Sequence, residues 1–183
     1  MEAYAEKPAA PATRDLAQIF RAHHDAVWRG LWSFGVPRTA IDDATQDVFV
    51  VVQRRLADYD GRAPVRRWVL GIARKVALKY RERAARQLAR LETLDGDAPA
   101  ANDAPPPEDA LARREATEFV EGFLDKLPVS QRSVFVLVDI DGMSAPEAAD
   151  VLGINVNTVY SRLRVARLRF DEAVRRRRTR TSP

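Results

Sequence analysis

Cysteine is absent from the chain, which excludes disulfides, cysteine-type zinc fingers and thiol catalysis. Histidine occurs only twice, as the neighbours His23 and His24, and neighbours on a helix point in different directions, so no shared metal site is expected there. There is no glycine-rich phosphate loop, no GxSxG elbow, no HExxH and no paired-carboxylate site, so an enzyme reading has no residue to rest on. No metal, cofactor or small-molecule substrate is expected. Asp42, Asp43 and Asp47 are the nearest thing to a ligand cluster. With 43 and 47 one helical turn apart and no second set of carboxylates, they read as a solvated or partner-facing surface. The N-terminus lacks a signal peptide and no apolar run approaches the length of a membrane span, so a cytoplasmic protein without membrane insertion is expected.

What remains is a soluble globular composition, 46% hydrophobic and 31% charged. The 183 residues suffice for one large or two small domains. The formal charge is only +4, yet it is unevenly spread. Residues 61–90 hold ten Lys/Arg against the single Glu82, and residues 156–180 hold nine Arg against Asp171 and Glu172. Residues 41–60 hold five acids against Arg54 and Arg55. Two basic blocks separated by acidic surfaces imply two contacts with a polyanion and an acidic face turned toward protein.

Apolar periodicity predicts helices throughout. The first runs from Arg14 to Phe34 with Thr13 as its cap, and Gly35 and Pro37 end it. The second runs from Thr39 to Asp58 with Ile41, Ala44, Val48, Val52 and Leu56 buried. A loop, Tyr59–Ala63, turns around Gly61. The third helix extends from Pro64 to about Arg90, with Val65, Trp68, Val69, Ile72, Val76 and Tyr80 inward. Arg66, Arg67, Arg74, Lys75, Lys79, Arg81 and Arg83 cover the rest of its surface, and so basic a helix repels itself unless an anionic partner or acidic neighbours face it. Residues 93–109 contain four prolines, five acids and no Lys or Arg, and read as a stiff acidic linker that stays off DNA. A fourth helix follows from Ala110 to Leu127, and a fifth, capped by Ser130, reaches about Ile140.

The most informative stretch is Met143–Phe170, which reads as two helices joined by a tight turn. Ser144 is the N-cap of the first, Pro146 stands in its first turn, and Glu147 occupies the capping-box position. Gly153 sits where the helix must stop in a positive-φ residue. The second helix opens near Asn155–Asn157 and buries Val159, Leu163, Ala166 and Phe170. Asn157, Thr158, Tyr160, Ser161, Arg162, Arg164 and Arg167 are left outward, all donors suited to bases and phosphates. That is the layout of a DNA-reading helix-turn-helix. An ordinary helical hairpin with a solvated basic face is the alternative. The Arg-rich tail, 175–180, is a basic arm or a solvated end.

These segments resemble three signatures of the bacterial RNA polymerase sigma factors of the extracytoplasmic-function (ECF) type. DDATQDVF (42–49) is similar to the family's acidic signature, and WVLGIARKVALKYRER (68–83) to its WLxxIARNxxxDxxRR helix. LPVSQRSVFVLVDIDGMSAPEAADVLGINVNTVYSRLRVAR (127–167) is very close to its C-terminal signature. The resemblance implies an all-α fold of two small helical domains joined by the acidic Pro-rich linker. It divides the chain into a disordered start (1–13), an N-terminal sigma domain (14–92), the linker (93–109), a helix-turn-helix domain (110–174) and a basic tail (175–183). It further implies that Asp43, Gln46, Asp47 and Phe49 dock on core RNA polymerase. Tyr59 and Arg62 in the loop, with Arg74, Lys75, Lys79 and Arg83 on the third helix, would engage the promoter's minus-ten element, where a base is flipped. The helix-turn-helix would read the minus-thirty-five element, the linker would lie in the RNA exit path, and an anti-sigma factor would be a further partner. Lys75 stands where the family commonly has Asn, Lys79 near its usual acidic position, and Tyr160 in place of a frequent Lys. A free-standing helix-turn-helix regulator would instead bind a palindromic site without polymerase, and a protein-only scaffold or anti-sigma factor would show no salt-sensitive DNA affinity.

Overall fold

The computed structural model describes residues 15–91 and 108–181. Every regular element among them is helical: α1 (Leu16–Ser33), α2 (Ile41–Arg55), α3 (Val65–Leu91), α4 (Glu108–Asp125), α5 (Val129–Phe135), α6 (Ala145–Leu152) and α7 (Val156–Thr181). Helices α1, α2 and α3 pack together as the N-terminal domain and α4 to α7 follow as the C-terminal one, and a single apolar core runs through both because α3 also packs on α6. The terminal segment 1–13 and residues 93–107 of the expected linker lie outside the described residues, while its last two, Glu108 and Asp109, already belong to α4, which therefore starts before the expected Ala110.

The N-terminal domain is a three-helix bundle because each helix carries an apolar stripe and the three stripes converge. Val27 and Leu31 of α1, Ile41, Ala44, Val48 and Val52 of α2, and Val69 and Ala73 of α3 are all fully enclosed. Gly30 lets α1 and α3 approach closely, since a Cβ there would stand 3.0 Å from Leu70 Cδ2. Leu70, Ala73 and Ala77 are buried although they fall outside the single inward stripe expected for α3. Their burial has a simple cause: α3 packs on three helices, α1, α2 and α6, with Leu70 lying against Gly30 of α1.

Several boundaries differ from expectation, each for a local reason. Asp15, not Thr13, caps α1: its carboxylate accepts from Ala17 N–H at 3.0 Å. The second helix is α-helical only from Ile41 to Arg55, with single 3₁₀ turns at Arg38–Ala40 and Leu56–Asp58. Ser130 caps nothing. The fifth helix starts directly after Pro128, whose extended backbone and missing N–H end the preceding helix. Its continuation, Val136–Ile140, is a π-helical turn that Asp141 closes by donating its N–H to Val136 O at 2.8 Å. Wider turns of this kind insert a residue and re-aim the side chains that follow.

The helix-turn-helix is built as the sequence demanded. Ser144 and Glu147 form a reciprocal capping box, with Ser144 N–H donating to Glu147 Oε2 at 3.0 Å. These bonds from Ser144 hold the Glu147 carboxyl below its usual range. Gly153 takes the left-handed conformation, φ 59° and ψ 44°, where a Cβ is unfavourable. Ser144→Ala is therefore expected to lower stability by about 0.5–2 kcal/mol in a denaturant titration. Val159, Leu163 and Ala166 of α7 are enclosed, and Phe170 closes an aromatic cluster with Phe119, Phe123 and Phe135. Helix α7 continues without a break through Thr181, so the boundary expected at 174 falls inside it.

Candidate nucleic-acid and polymerase interfaces

The acidic face of α2 is set by its period. With Ile41, Ala44, Thr45, Val48 and Phe49 turned into the core, Asp42, Asp43, Gln46 and Asp47 are left in solvent. Two of these carboxylates are oriented by neighbouring helices. Trp28 Nε1 donates to Asp42 at 3.2 Å, and Tyr80 Oη donates to Asp47 at 2.9 Å. Burial, then the bond to Asp47 and its charge, push the Tyr80 phenol up to about 12, so it remains a donor. Phe49 does not join this surface. It is buried, with its ring 4.6 Å from that of Phe20 and 6.4 Å from His24, so as a direct contact it is corrected to a core residue beneath the acidic face. His23 lies toward α3, where burial and then the Arg66 charge lower its pKa, so the two histidines do point apart.

The loop after α2 is ordered by its own side chains. The Tyr59 hydroxyl donates to Ala63 O, its ring packs tilted against that of Trp68 at 4.8 Å, and Arg62 pairs with Asp60 at 3.2 Å. Lys75, Lys79 and Arg83 are exposed along α3, with Arg83 over the Tyr80 ring at 5.7 Å. Arg74 points elsewhere. Its guanidinium lies on the helix-turn-helix corner, 3.1 Å from where a Gly153 Cβ would stand.

At the start of α7, Asn155 Oδ1 accepts from Asn157 N–H at 2.8 Å and fixes how the helix opens. Asn157, Tyr160, Ser161 and Arg164 are exposed on one side, and Thr158 is half-buried. Arg162 is half-buried too, lining a cleft of about 230 Å³ with Arg74, Ala77 and Arg81 of α3. Arg167 is exposed but already engaged: it grips Asp139 at the surface, with Nη2–Oδ1 at 2.6 Å and Nε–Oδ2 at 3.1 Å. That bond raises its pKa, and its first role is to pin α7 to the π turn. Among the described residues, no group of three or more His, Cys, Asp or Glu is placed to hold a metal ion.

Sequence reasoning missed the residues between the domains. Arg29 reaches Asp141 at 2.8 Å and Arg66 reaches it at 3.2 Å, while Arg67 meets Asp150 at 3.1 Å. Arg38 pairs with Asp125 at 3.1 Å, and Arg38 and Arg132 both lie over the Trp32 ring. Ser133 Oγ donates across the seam to Ser33 O at 2.9 Å. The only signal was the excess of cations on α3, which required acidic neighbours or an anionic partner without saying which.

A capped helix-turn-helix with a polar outer face, joined to a second domain with an acidic α2 and a basic α3, defines a DNA-binding transcription initiation factor. The family models agree: residues 19–87 match Sigma-70 region 2 and residues 120–170 match Sigma-70, region 4. The chain is 39% identical over 166 residues to the RNA polymerase sigma factor CnrH of Cupriavidus metallidurans, covering 86% of this chain and 85% of that protein. It is 33% identical over 154 residues to the ECF RNA polymerase sigma factor SigM of Mycobacterium tuberculosis, covering 84% and 74%. The chain belongs to the RNA polymerase sigma factors of the extracytoplasmic-function type, which bind core polymerase and promoter DNA and direct initiation. This membership displaces the free-standing regulator and the protein-only scaffold. Solved structures share the fold. The sigma factor RpoE in complex with the anti-sigma factor NepR from Bartonella quintana superposes with a TM-score of 0.72 at 19% identity, covering 88% of this chain and 98% of that one. CnrH in complex with the cytosolic domain of CnrY gives 0.58 at 35% identity, covering 87% and 86%.

Proposed function

We propose a division of labour within this sigma factor. The exposed Asp43, Gln46 and Asp47 dock on core RNA polymerase. Lys75, Lys79 and Arg83 with Arg62, Tyr59 and Arg74 engage and help open the minus-ten element. Asn157, Thr158, Tyr160, Ser161, Arg162 and Arg164 read the minus-thirty-five element in the major groove. Arg167 contributes by holding α7 in place and through phosphate contact once Asp139 is displaced. The observation that carries this reading is the pairing of one acidic helix face with two separate donor-rich faces, on helices that the sequence orients independently. Helices α1 to α3 act as the promoter-opening domain, the segment between α3 and α4 as the tether, and α4 to α7 as the upstream-reading domain. The protein works in the cytoplasm as a non-enzymatic factor without cofactor. No described helix is long and apolar enough to cross a membrane, which fits that setting.

An anti-sigma factor is a further partner in this reading, supported by the relatives whose structures are complexes with NepR and CnrY. Transcription in vitro by core polymerase from a matched promoter tests the main reading: initiation that does not depend on this chain would overturn it. Arg162→Ala is expected to weaken promoter binding by about 1–3 kcal/mol with sequence dependence if it contacts a base. Equal loss on unrelated sequences would make it a phosphate clamp. A pull-down scored for polymerase subunits and a small inhibitor protein tests the partners.

A further inference from the structure

We infer that the cleft between α3, α5 and the start of α7 is a binding site for a diphosphate group, borne by a free anion or by a nucleotide. Three arginines converge on it, Arg74 and Arg81 from α3 and Arg162 from α7. The cleft holds about 230 Å³, and no acidic side chain lines it. Elsewhere between the domains the arginines are neutralised: Arg29 and Arg66 meet Asp141, Arg38 meets Asp125, and Arg67 meets Asp150. Arg74, Arg81 and Arg162 make no ion pair or hydrogen bond among the described residues. Two of them are nonetheless held in place. A Cβ on Gly35 would stand 3.3 Å from Arg81 Cδ, and one on Gly153 would stand 3.1 Å from Arg74 Nη1. Both glycines have positive φ, 92° and 59°, so each arginine lies against backbone that glycine alone adopts readily.

The lining selects the ligand. Phe34, Val129, Leu152 and Ile154 wall the cleft with apolar surface, and low-dielectric walls around charge of one sign focus the field on an entering anion. Guanidinium forks take phosphate oxygens in pairs. One phosphate group carries about 1.5–2 negative charges, short of the three positive ones that line the cleft, and a second linked phosphate makes up the difference. Pockets that enclose a whole drug-sized ligand run to roughly 300–1,000 Å³, so this smaller cleft takes a diphosphate and leaves the rest of a nucleotide in solvent. Ser130 adds a hydroxyl: it caps no helix and is exposed on the lining. An occupied cleft withdraws Arg74 and Arg162 from promoter DNA. That consequence, unlike the site itself, rests on the reading of both residues as promoter contacts.

Isothermal titration of the full-length chain with inorganic pyrophosphate, ADP, AMP and orthophosphate, at matched ionic strength, tests the site. Pyrophosphate is expected to bind one-to-one and at least about tenfold more tightly than orthophosphate. ADP matching pyrophosphate while AMP fails identifies the ligand as the end of a nucleotide, and binding of pyrophosphate alone identifies a free anion. Either result supports the site. Arg81→Gln should weaken pyrophosphate binding by about tenfold. Arg54→Gln removes the same charge from the exposed surface of α2, outside the cleft, and should leave binding unchanged. The Arg81 side chain is exposed, so its variant keeps the fold, which a thermal melt checks. No saturable heat with millimolar pyrophosphate, equal affinity for orthophosphate, or equal losses in the two variants overturns the proposal. In a second arm, pyrophosphate should displace a promoter duplex from the native chain more than sulfate of equal ionic strength does, and less so from Arg81→Gln. Binding of pyrophosphate without that competition keeps the site and overturns the promoter-facing reading of Arg74 and Arg162.

Discussion

Reversing Asp43 and Asp47 together to arginine is expected to reduce promoter-directed transcription by core polymerase at least about a hundredfold, leaving the protein folded. Both side chains are exposed on the outer face of α2, so the substitution changes a surface and not a core. Surface changes away from packing typically move stability by about 0.5 kcal/mol, with a further contribution from the lost Tyr80 hydrogen bond to Asp47. At an interface with a basic partner, the reversal turns two attractions into two repulsions. Like-charge juxtaposition costs several kcal/mol, and each 1.4 kcal/mol is about tenfold in affinity. The measurement is a titration of core polymerase with the variant, beside a thermal melt and a DNA-binding isotherm. Transcription within a few-fold of the native level would remove α2 from the docking surface.

Leu31→Ala is expected to be the most damaging single truncation for stability, by about 2–5 kcal/mol. Leu31 is fully enclosed within the N-terminal bundle, where α1 packs on α2 and α3. Deleting its branched end leaves a hole that Gly30 and Leu70, already in close approach, cannot fill by moving together. For a protein of this size each kcal/mol moves the midpoint by about 2–4 °C, so a fall of roughly 5–20 °C is expected in a calorimetric scan. Leu168→Ala is the matched contrast. Its side chain is 54% exposed on α7, and the same truncation should cost under about 0.5 kcal/mol. Equal melting shifts for the two leucines would contradict the burial pattern.

Much of this was legible because it is local. The capping box at Ser144–Glu147, the left-handed Gly153 and the inward series Val159, Leu163 and Ala166 depend on residues within a few positions of one another, and intervals of three and four along a helix carry the whole message. The acidic exterior of α2 followed from the same period. Even the misplaced details were local contests: Pro128 outcompeted Ser130 as the start of α5, and Phe49 was read with the acids beside it although its period assigns it to the core.

The sequence by itself therefore determined the helices, the caps of the helix-turn-helix, the apolar faces and the signs of the charged ones, since each is fixed by interactions within one or two turns. Only the tertiary structure decided which partners those charges take. Asp141 meets Arg29 across 112 positions of chain, and no periodicity links the two. Nor does periodicity explain why α3 is also buried at Leu70, Ala73 and Ala77: Leu70 lies against Gly30 of α1, and α3 packs on α1, α2 and α6 together. An excess of positive charge on a helix records that an anion is needed. Whether a carboxylate of the same chain or a phosphate of DNA supplies it depends on how the two domains are packed.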